Sequence, residues 1–394
     1  MKNRYFTITG RTLRLNSKGS NTTAALAALL AQLTLPAQAA TYYWDNNTTT
    51  SGFGNAGGTW SSAGSTLWNN DSAGGSAGSP NTLGTSITTT TADALNFGTT
   101  ANALGAGTIT LSGTVNSGAI TFGSGNGAVI LSTGGTINLN GTVMASAAAT
   151  TTQTINGDIA LQGASRQFGS TGAYKDLLTF NGNISGSATL TVDVGNSGVA
   201  TLNGVNSFGN LTIGRGQLNV NTVSNSGVNS ALGAGSTITF GFGGGQVPKL
   251  WYTGTSAGSM NRAINILGQA NVAIYSQDAP LTLAGSITNG TGLGSLQLSG
   301  DAGGGANFNE ISGNISGTNA LQVLNSTPTG GTGEPGVWKL SGNNTYTGTT
   351  TISGGTLVVS GASAKAAEGH IVPGQAVGLA CVGSRFNQND FTVW

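Results

Sequence analysis

Short runs of alternating apolar and polar residues recur along most of the chain. In runs such as TITL, TLTV and TLVV, threonine alternates with leucine, isoleucine or valine, and Asn-Gly, Ser-Gly or Gly-Gly separates neighbouring runs. A period of two places the apolar residues on one face of a β-strand, and glycine and asparagine tolerate the positive φ of tight turns. The pattern therefore predicts an all-β chain of many short strands.

Two segments of the chain are internal copies of one another. The segment GVATLNGVNSFGNLTIGRGQLNV (198–220) aligns with GVWKLSGNNTYTGTTTISGGTLVV (336–359) with one gap. The identical residues keep their order, and an aromatic residue follows the shared asparagine at the same distance in both copies. A weaker similarity lies upstream, between residues 178–192 and 308–323. The sequence therefore indicates a repeat protein.

The repeats must pack on one another, because a run of a few residues cannot bury its apolar face alone. In stacked coils each strand pairs with the equivalent strand above and below, and the inward side chains form one continuous column. We therefore predict a right-handed parallel β-helix, or β-solenoid, over residues 100–361. Four residues at equivalent positions of the two copies are predicted to point into its core: Ile213, Leu218, Ile352 and Leu357. A β-sandwich is the alternative architecture, but the related segments recur without a hairpin-like pattern.

Residues 40–99 differ from the predicted solenoid. They carry Trp44, Trp60 and Trp68, which are half of the six tryptophans of the chain. The end coil of a solenoid exposes its core to water and needs a cap. We therefore interpret this segment as an aromatic-rich N-terminal cap; the alternative is a platform on which sugar rings stack.

Residues 1–39 are typical of a cleaved signal peptide. Five basic residues precede the apolar run AALAALLAQLTL (24–35), and small residues follow it, so cleavage is predicted after Ala39. The apolar run has 12 residues, whereas a membrane-spanning helix needs ~20. We therefore predict export across the inner membrane to the periplasm, the cell surface or the extracellular space, with no transmembrane segment in the mature chain.

Charge and rare residues exclude several classes of function. Only 6% of the residues are charged, far below the share in an ordinary globular enzyme. Removal of residues 1–39 leaves 8 basic and 12 acidic residues, a net charge of −4, so nucleic acid is not an expected partner. With one histidine, His370, and one cysteine, Cys381, the usual residues of a zinc site, a disulfide or a Ser/His/Asp triad are missing. No catalytic, cofactor-binding or metal-binding residue is assigned, and no cofactor is expected.

The second copy of the repeat resembles a known family. Its segment WKLSGNNTYTGTTTISGGTLVVSG (338–361) resembles the autotransporter-associated β-strand repeat, in which an aromatic-containing GxNTYTGxTTIxxGTL segment recurs. The tryptophan-rich start and ALGAGSTITF (231–240) are also similar to segments of such passengers. The resemblance implies a bacterial cell-surface or secreted β-helical passenger that a C-terminal outer-membrane barrel delivers. The 33 residues after Gly361 are too few for the roughly eight or more strands of such a barrel.

Two classes of function remain. We favour a noncatalytic secreted or cell-surface β-solenoid, a truncated autotransporter-like passenger with a structural or adhesive role. Its threonine and asparagine ladders would contact glycans, a host surface or a neighbouring cell, and its ends would allow self-association. The alternative is a polysaccharide-active parallel β-helix enzyme, a lyase or glycoside hydrolase, which would need paired carboxylates on adjacent coils.

Three aspartates are the candidates for such an enzymatic site. Asp158, Asp176 and Asp193 are 18 and 17 residues apart, and Arg166 and Lys175 lie nearby in the sequence. Asp158 and Asp193 occupy turn-like contexts, where aspartate commonly bonds to the backbone. We therefore interpret the three aspartates as structural residues.

Residues 362–394 lose the rhythm of strands and turns. They contain one threonine, whereas the chain continues after the first copy with another threonine- and glycine-rich coil. We interpret the segment as the product of a changed reading frame near Ala362, with a longer passenger encoded in another frame, and expect it to be disordered. A C-terminal cap is the alternative.

Overall fold

The computed structural model describes residues 4–8, 11–15, 39–47, 51–75, 81–145, 149–170, 175–241, 247–268, 271–290, 294–326, 328–329, 334–360, 370–371 and 377–381. The chain divides into two compact units, Met1–Ala39 and Ala40–Trp394. In the first unit, β1 (Arg4–Ile8) pairs antiparallel with β2 (Arg11–Leu15). The apolar run of the proposed signal peptide lies outside the described residues, so the signal peptide stays a prediction.

The second unit is a parallel β-solenoid with three faces, which we call A, B and C. Face A stacks twelve strands: β7 (Gly107–Ser117), β9 (Val129–Leu131), β12 (Gln153–Ile155), β15 (Leu177–Phe180), β18 (Val199–Leu202), β20 (Gln217–Val220), β22 (Lys249–Tyr252), β25 (Val272–Ser276), β28 (Ser295–Ser299), β31 (Ala320–Val323), β33 (Thr350–Ile352) and β35 (His370–Ile371).

Face B stacks a second series of parallel strands, with one antiparallel strand at its N-terminal end. It contains β5 (Trp68–Asn69), β3 (Thr41–Trp44), β6 (Ala94–Phe97), β8 (Ala119–Phe122), β11 (Thr142–Ala145), β14 (Ser165–Phe168), β17 (Thr189–Asp193), β19 (Leu211–Arg215), β21 (Thr237–Phe240), β24 (Ala263–Ile266), β27 (Ile287–Asn289) and β30 (Ile315–Ser316).

Face C consists of two separate sheets, and the long strand β7 turns the corner from face A into the first of them. With β7, the first sheet contains β10 (Gly135–Leu139), β13 (Asp158–Leu161) and β16 (Ile184–Ser185), while β4 (Thr59–Ser61) also pairs with β7. The second sheet contains β23 (Gly258–Met260), β26 (Leu281–Leu283), β29 (Asn309–Ile311), β32 (Gly336–Leu340), β34 (Gly355–Val359) and β36 (Val377–Cys381).

The pairing register stacks apolar side chains into a continuous core. On face A, for example, Phe180 pairs with Leu202, and Leu202 pairs with Val220. The four residues predicted to point inward are all buried, with exposed fractions of 0 to 7%: Ile213, Leu218, Ile352 and Leu357. Each fully buried aliphatic side chain contributes ~1.5 to 3 kcal/mol. The predicted all-β parallel solenoid is thus confirmed, while the right-handed sense of its coil stays a prediction.

Columns of glycine line corners of the solenoid. In the N-terminal half they follow the strands of face A, and in the C-terminal half they follow the strands of face C. A Cβ atom built on Gly182 would lie 2.1 Å from the carbonyl oxygen of Gly157, and one on Gly204 would lie 2.2 Å from that of Gly182. In the C-terminal half, a Cβ atom on Gly342 would lie 2.2 Å from the carbonyl oxygen of Gly313. Because backbone from the preceding coil fills the space, stacking requires glycine at these corners.

The N-terminal tryptophans fill the end of the core. Trp44, Trp60 and Trp68 are each 0% exposed. Edge-to-face contacts join the ring centroids of Trp44 and Trp68 at 4.8 Å and those of Trp60 and Trp68 at 5.5 Å. The aromatic cap is therefore confirmed, and the buried rings offer no surface for sugar stacking.

Two short strands continue the stack beyond Ser360. The strand β35 pairs parallel with β33 on face A, and β36 pairs parallel with β34 on face C. The expected disorder of residues 362–394 is wrong for these two strands, which form the kind of pairing that a cap would use. The other residues of this segment lie outside the described part, and the reading-frame interpretation stays a prediction.

Across the described segments, the secondary structure consists of strands and turns. No helix in those segments is long and apolar enough to cross a membrane.

Candidate functional site

The three candidate aspartates lie on different parts of the solenoid. Asp158 begins β13 on face C and is exposed, and its Oδ1 accepts a hydrogen bond from the Asn183 N–H at 2.8 Å. Asp176 precedes β15 of face A, whereas Asp193 ends β17 of face B. Asp176 and Asp193 interact electrostatically across the corner between faces B and A. The structure thus brings two of the three candidates together and places Asp158 apart.

The carboxylate of Asp176 is buried and bonded within the protein. It accepts hydrogen bonds from the Ala145 N–H at 2.5 Å, the Ser170 N–H at 2.9 Å and the Ser170 hydroxyl at 3.0 Å. Burial raises the pKa of Asp176, as does the negative charge of Asp193 to a smaller extent, and the three hydrogen bonds oppose this shift. The carboxylate therefore joins its own corner to the end of β11 in the preceding coil.

Asp193 is engaged in an ion pair with Arg215. Its two oxygens accept from Nε and Nη2 of Arg215 at 2.8 and 2.7 Å, a bidentate geometry that raises the pKa of the guanidinium. Arg166 donates to the carbonyl oxygen of Leu139 and to the side chain of Asn140. Lys175 is half-buried beside Asp176. All three aspartates therefore bond to the protein itself, which supports their interpretation as structural residues.

The asparagine shared by the two repeat copies, Asn206 in the first and Asn344 in the second, caps the last strand of a sheet in each copy. The Oδ1 atom of Asn206 accepts from the Ile184 N–H at 2.7 Å, and the Ser207 N–H donates to the Ile184 carbonyl at 2.9 Å. Ile184 lies in β16, the last strand of the first sheet of face C. The asparagine side chain thus replaces the backbone carbonyl that a further strand would supply.

The second copy repeats this arrangement one face further round the solenoid. Asn344 Oδ1 accepts from the Ile315 N–H at 3.0 Å, and the Thr345 N–H donates to the Ile315 carbonyl at 2.8 Å. Here Ile315 lies in β30, the last strand of face B. The first copy therefore runs A, B, A through β18, β19 and β20, whereas the second runs C, A, C through β32, β33 and β34.

Both copies make short turns because each omits one strand. The pairing of Leu202 with Val220 is a step of 18 residues, and that of Leu340 with Val359 a step of 19. A neighbouring turn with three strands, from Leu131 to Ile155, takes 24. The copies were recognisable in the sequence, but their different faces were not, since nothing in either copy specifies its place around the axis.

The outer surface of face B carries a regular array of sixteen uncharged residues, all polar except Ala263, which we call the polar array. Its first row pairs in register through eight strands from β11 to β30: Thr142, Gln167, Thr191, Thr212, Thr239, Asn265, Thr288 and Ser316. Its second row lies two residues earlier in each coil: Asn140, Ser165, Thr189, Asn210, Thr237, Ala263, Ser286 and Asn314. All sixteen are half-buried or exposed.

The other two faces differ from the polar array in charge and in cover. On face A, the side chain of Gln217 exchanges two hydrogen bonds with the backbone of Thr329, so a later segment of the chain lies over this face. On face C, Lys339 forms an ion pair with Glu310 at 3.1 Å. The sequence predicted polar ladders, but choosing among the faces required the register between coils.

Comparison with known protein families identifies the second repeat copy. Residues 334–359 match the passenger-associated-transport-repeat family. This match confirms the predicted resemblance and covers β32, β33 and β34. Comparison with the curated proteins and with the solved structures gives no match. The chain is thus a parallel β-solenoid that carries a passenger-associated transport repeat, which fits an autotransporter passenger-like protein, and the repeat family implies export to the cell surface or the extracellular space.

Proposed function

We propose that this protein is a noncatalytic passenger of the cell surface or the extracellular space with an adhesive role. The polar array is the observation that carries this proposal. Hydroxyl and amide side chains both donate and accept hydrogen bonds, so they can bond to a partner in many orientations. Repeated weak contacts from one rigid surface combine into strong overall attachment.

The alternative, a polysaccharide-active enzyme, would use Asp176 and Asp193. A hydrolytic pair needs one carboxyl group free to protonate the leaving group and another free to act as nucleophile or base. Here Asp193 is 1% exposed and bonded to Arg215, and Asp176 is 0% exposed and accepts three hydrogen bonds. These contacts favour a corner that holds coils together over one that meets a substrate.

One experiment distinguishes the two functions. The purified protein is applied to an array of glycans and to immobilised host cells, and release of reducing sugar from the same glycans is measured in parallel. We expect attachment to at least one of these surfaces without release of sugar. Turnover by the wild-type protein that disappears in a correctly folded Asp176→Asn variant would establish the enzyme instead.

A further inference from the structure

We infer that the polar array of face B binds a neutral, linear polysaccharide whose chain lies along the solenoid axis. This inference rests on the proposed adhesive function and names its binding surface and the chemistry of its ligand. Face B is the appropriate face because every position of its two outward rows is half-buried or exposed, while faces A and C carry the covering segment and the ion pair described above.

The absence of charge from the polar array selects a neutral ligand. None of its sixteen positions is Asp, Glu, Lys or Arg. A polymer bearing carboxylates or phosphates would gain most from arginine or lysine, which recognise such groups with charge-assisted hydrogen bonds. The nearest guanidinium groups are already engaged, Arg166 with Asn140 and Leu139 and Arg215 with Asp193. Sugar hydroxyls, like the side chains of the array, both donate and accept.

The shape of the array selects a long ligand. Its rows repeat at the spacing of neighbouring strands, ~4.8 Å, so eight strands extend over roughly 34 Å. The array ends at Ser316, because the side chain of Asn344 closes the backbone of β30 where the next strand would pair. A polymer that offers equivalent hydroxyl groups at each step can use the whole length, whereas a short oligosaccharide can use only a few positions.

The same surface lacks what a protein partner would require. Protein interfaces depend on a central cluster of buried aromatic residues or arginine. Both rows consist of Ser, Thr, Asn and Gln, with Ala263 the one exception. We therefore expect weak contacts at each step and attachment that depends strongly on ligand length.

The test uses charge placed on one face at a time. Thr212 and Thr239 are register partners in the middle of the array, and the double variant T212R/T239R puts two arginines there. The matched control, T179R/T201R, makes the same change at register partners on the outer surface of face A. A third variant, T288R, changes an exposed position of the array, where a larger side chain can extend into water without displacing the core.

Binding is measured by pull-down on insoluble cellulose, chitin and curdlan, with pectin and alginate as acidic polymers and the matching disaccharides as competitors. We expect the wild-type protein to bind at least one neutral polymer, with little competition by its disaccharide, which covers only a small part of the array. T212R/T239R and T288R should lose at least about tenfold in binding, while T179R/T201R should stay within about twofold. Circular dichroism checks that each variant is folded.

Four outcomes overturn the inference. Equal binding by the face A and face B variants would place the site elsewhere, and a preference for pectin or alginate would contradict the neutral ligand. Attachment to host cells or protein-coated surfaces but to none of the neutral polymers would leave the adhesive function standing and remove this ligand class. Attachment to no surface at all would remove both proposals.

Discussion

Arg262 holds an excursion of the chain from the solenoid, and its replacement by methionine tests how that segment is fixed. Residues 221–236 leave the stack between β20 and β21, and Arg262, in the following coil, is only 1% exposed. The five N–H groups of its guanidinium lie within hydrogen-bond distance of six backbone carbonyl oxygens of the excursion, and Nη2 shares its two N–H groups among three of them. The acceptors are Ser224 (2.9 Å), Asn225 (3.4 Å), Val228 (3.1 Å), Leu232 (3.4 Å), Gly233 (2.7 Å) and Gly235 (2.5 Å). Burial lowers the pKa of Arg262.

The expected cost of Arg262→Met follows from the burial of these acceptors. Asn225 and Val228 are exposed, so their carbonyl groups can bond to water when the guanidinium is removed. Leu232 and Gly233 are buried, and a buried carbonyl left without a partner costs about 1 to 3 kcal/mol. The Leu232 carbonyl loses its guanidinium donor, and the Gly233 carbonyl keeps only the long bond from the Ser230 hydroxyl at 3.4 Å. Removal of a buried charge recovers part of its desolvation cost. We therefore expect the free energy of unfolding to fall by about 2 to 4 kcal/mol.

Urea denaturation followed by circular dichroism measures this change, and limited proteolysis reports on the excursion. Cleavage within residues 221–236 should become faster in the variant. The matched control is Arg166→Met, which removes a half-buried guanidinium bonded to Leu139 and Asn140 and should cost less than about 1 kcal/mol. An Arg262→Met protein as stable and as protease-resistant as the wild type would refute the reasoning.

Three further predictions concern the core, the buried carboxylate and the repeat corner. Ile352→Asp buries a carboxylate without a partner and should cost at least about 3 kcal/mol, seen as loss of the sheet spectrum at a lower urea concentration. Asp176→Asn should cost about 1 to 3 kcal/mol, because its one amide oxygen cannot serve both backbone N–H donors. Folding raises the pKa of Asp176, so protonation of this carboxyl group stabilises the folded protein. The stabilisation is complete below the pKa of the unfolded state, about 3.9, and is lost as the pH rises through the pKa of the folded state. Urea titrations at several pH values should show that Asp176→Asn lacks this loss. Asn344→Ala and Asn206→Ala should each cost about 1 to 2 kcal/mol in denaturant midpoint measurements, since each leaves a buried isoleucine N–H without its acceptor, and a cost for only one of them would contradict an equivalent role.

Much of the architecture could be predicted from local features of the sequence. The inward positions of Ile213 and Leu218 follow from period-two alternation, which acts within a single strand. The aromatic cap follows from the concentration of tryptophan before the first complete coil, because an exposed solenoid end needs apolar cover. These features depend on neighbouring residues alone, so the sequence displays them directly.

The remaining features depend on register between coils, which only the folded chain sets. Copies with nearly the same local sequence start on different faces, because the lengths of the preceding turns decide where each strand meets the stack. The same register aligns threonines from eight coils into the polar array and brings Asp176 beside Asp193, residues that no local pattern connects. An arginine is usually exposed, but Arg262 is buried because the excursion folds over it. Alternation is a local property of each strand, whereas the register between coils depends on the lengths of all the preceding turns. The tertiary structure was therefore needed to locate the polar array.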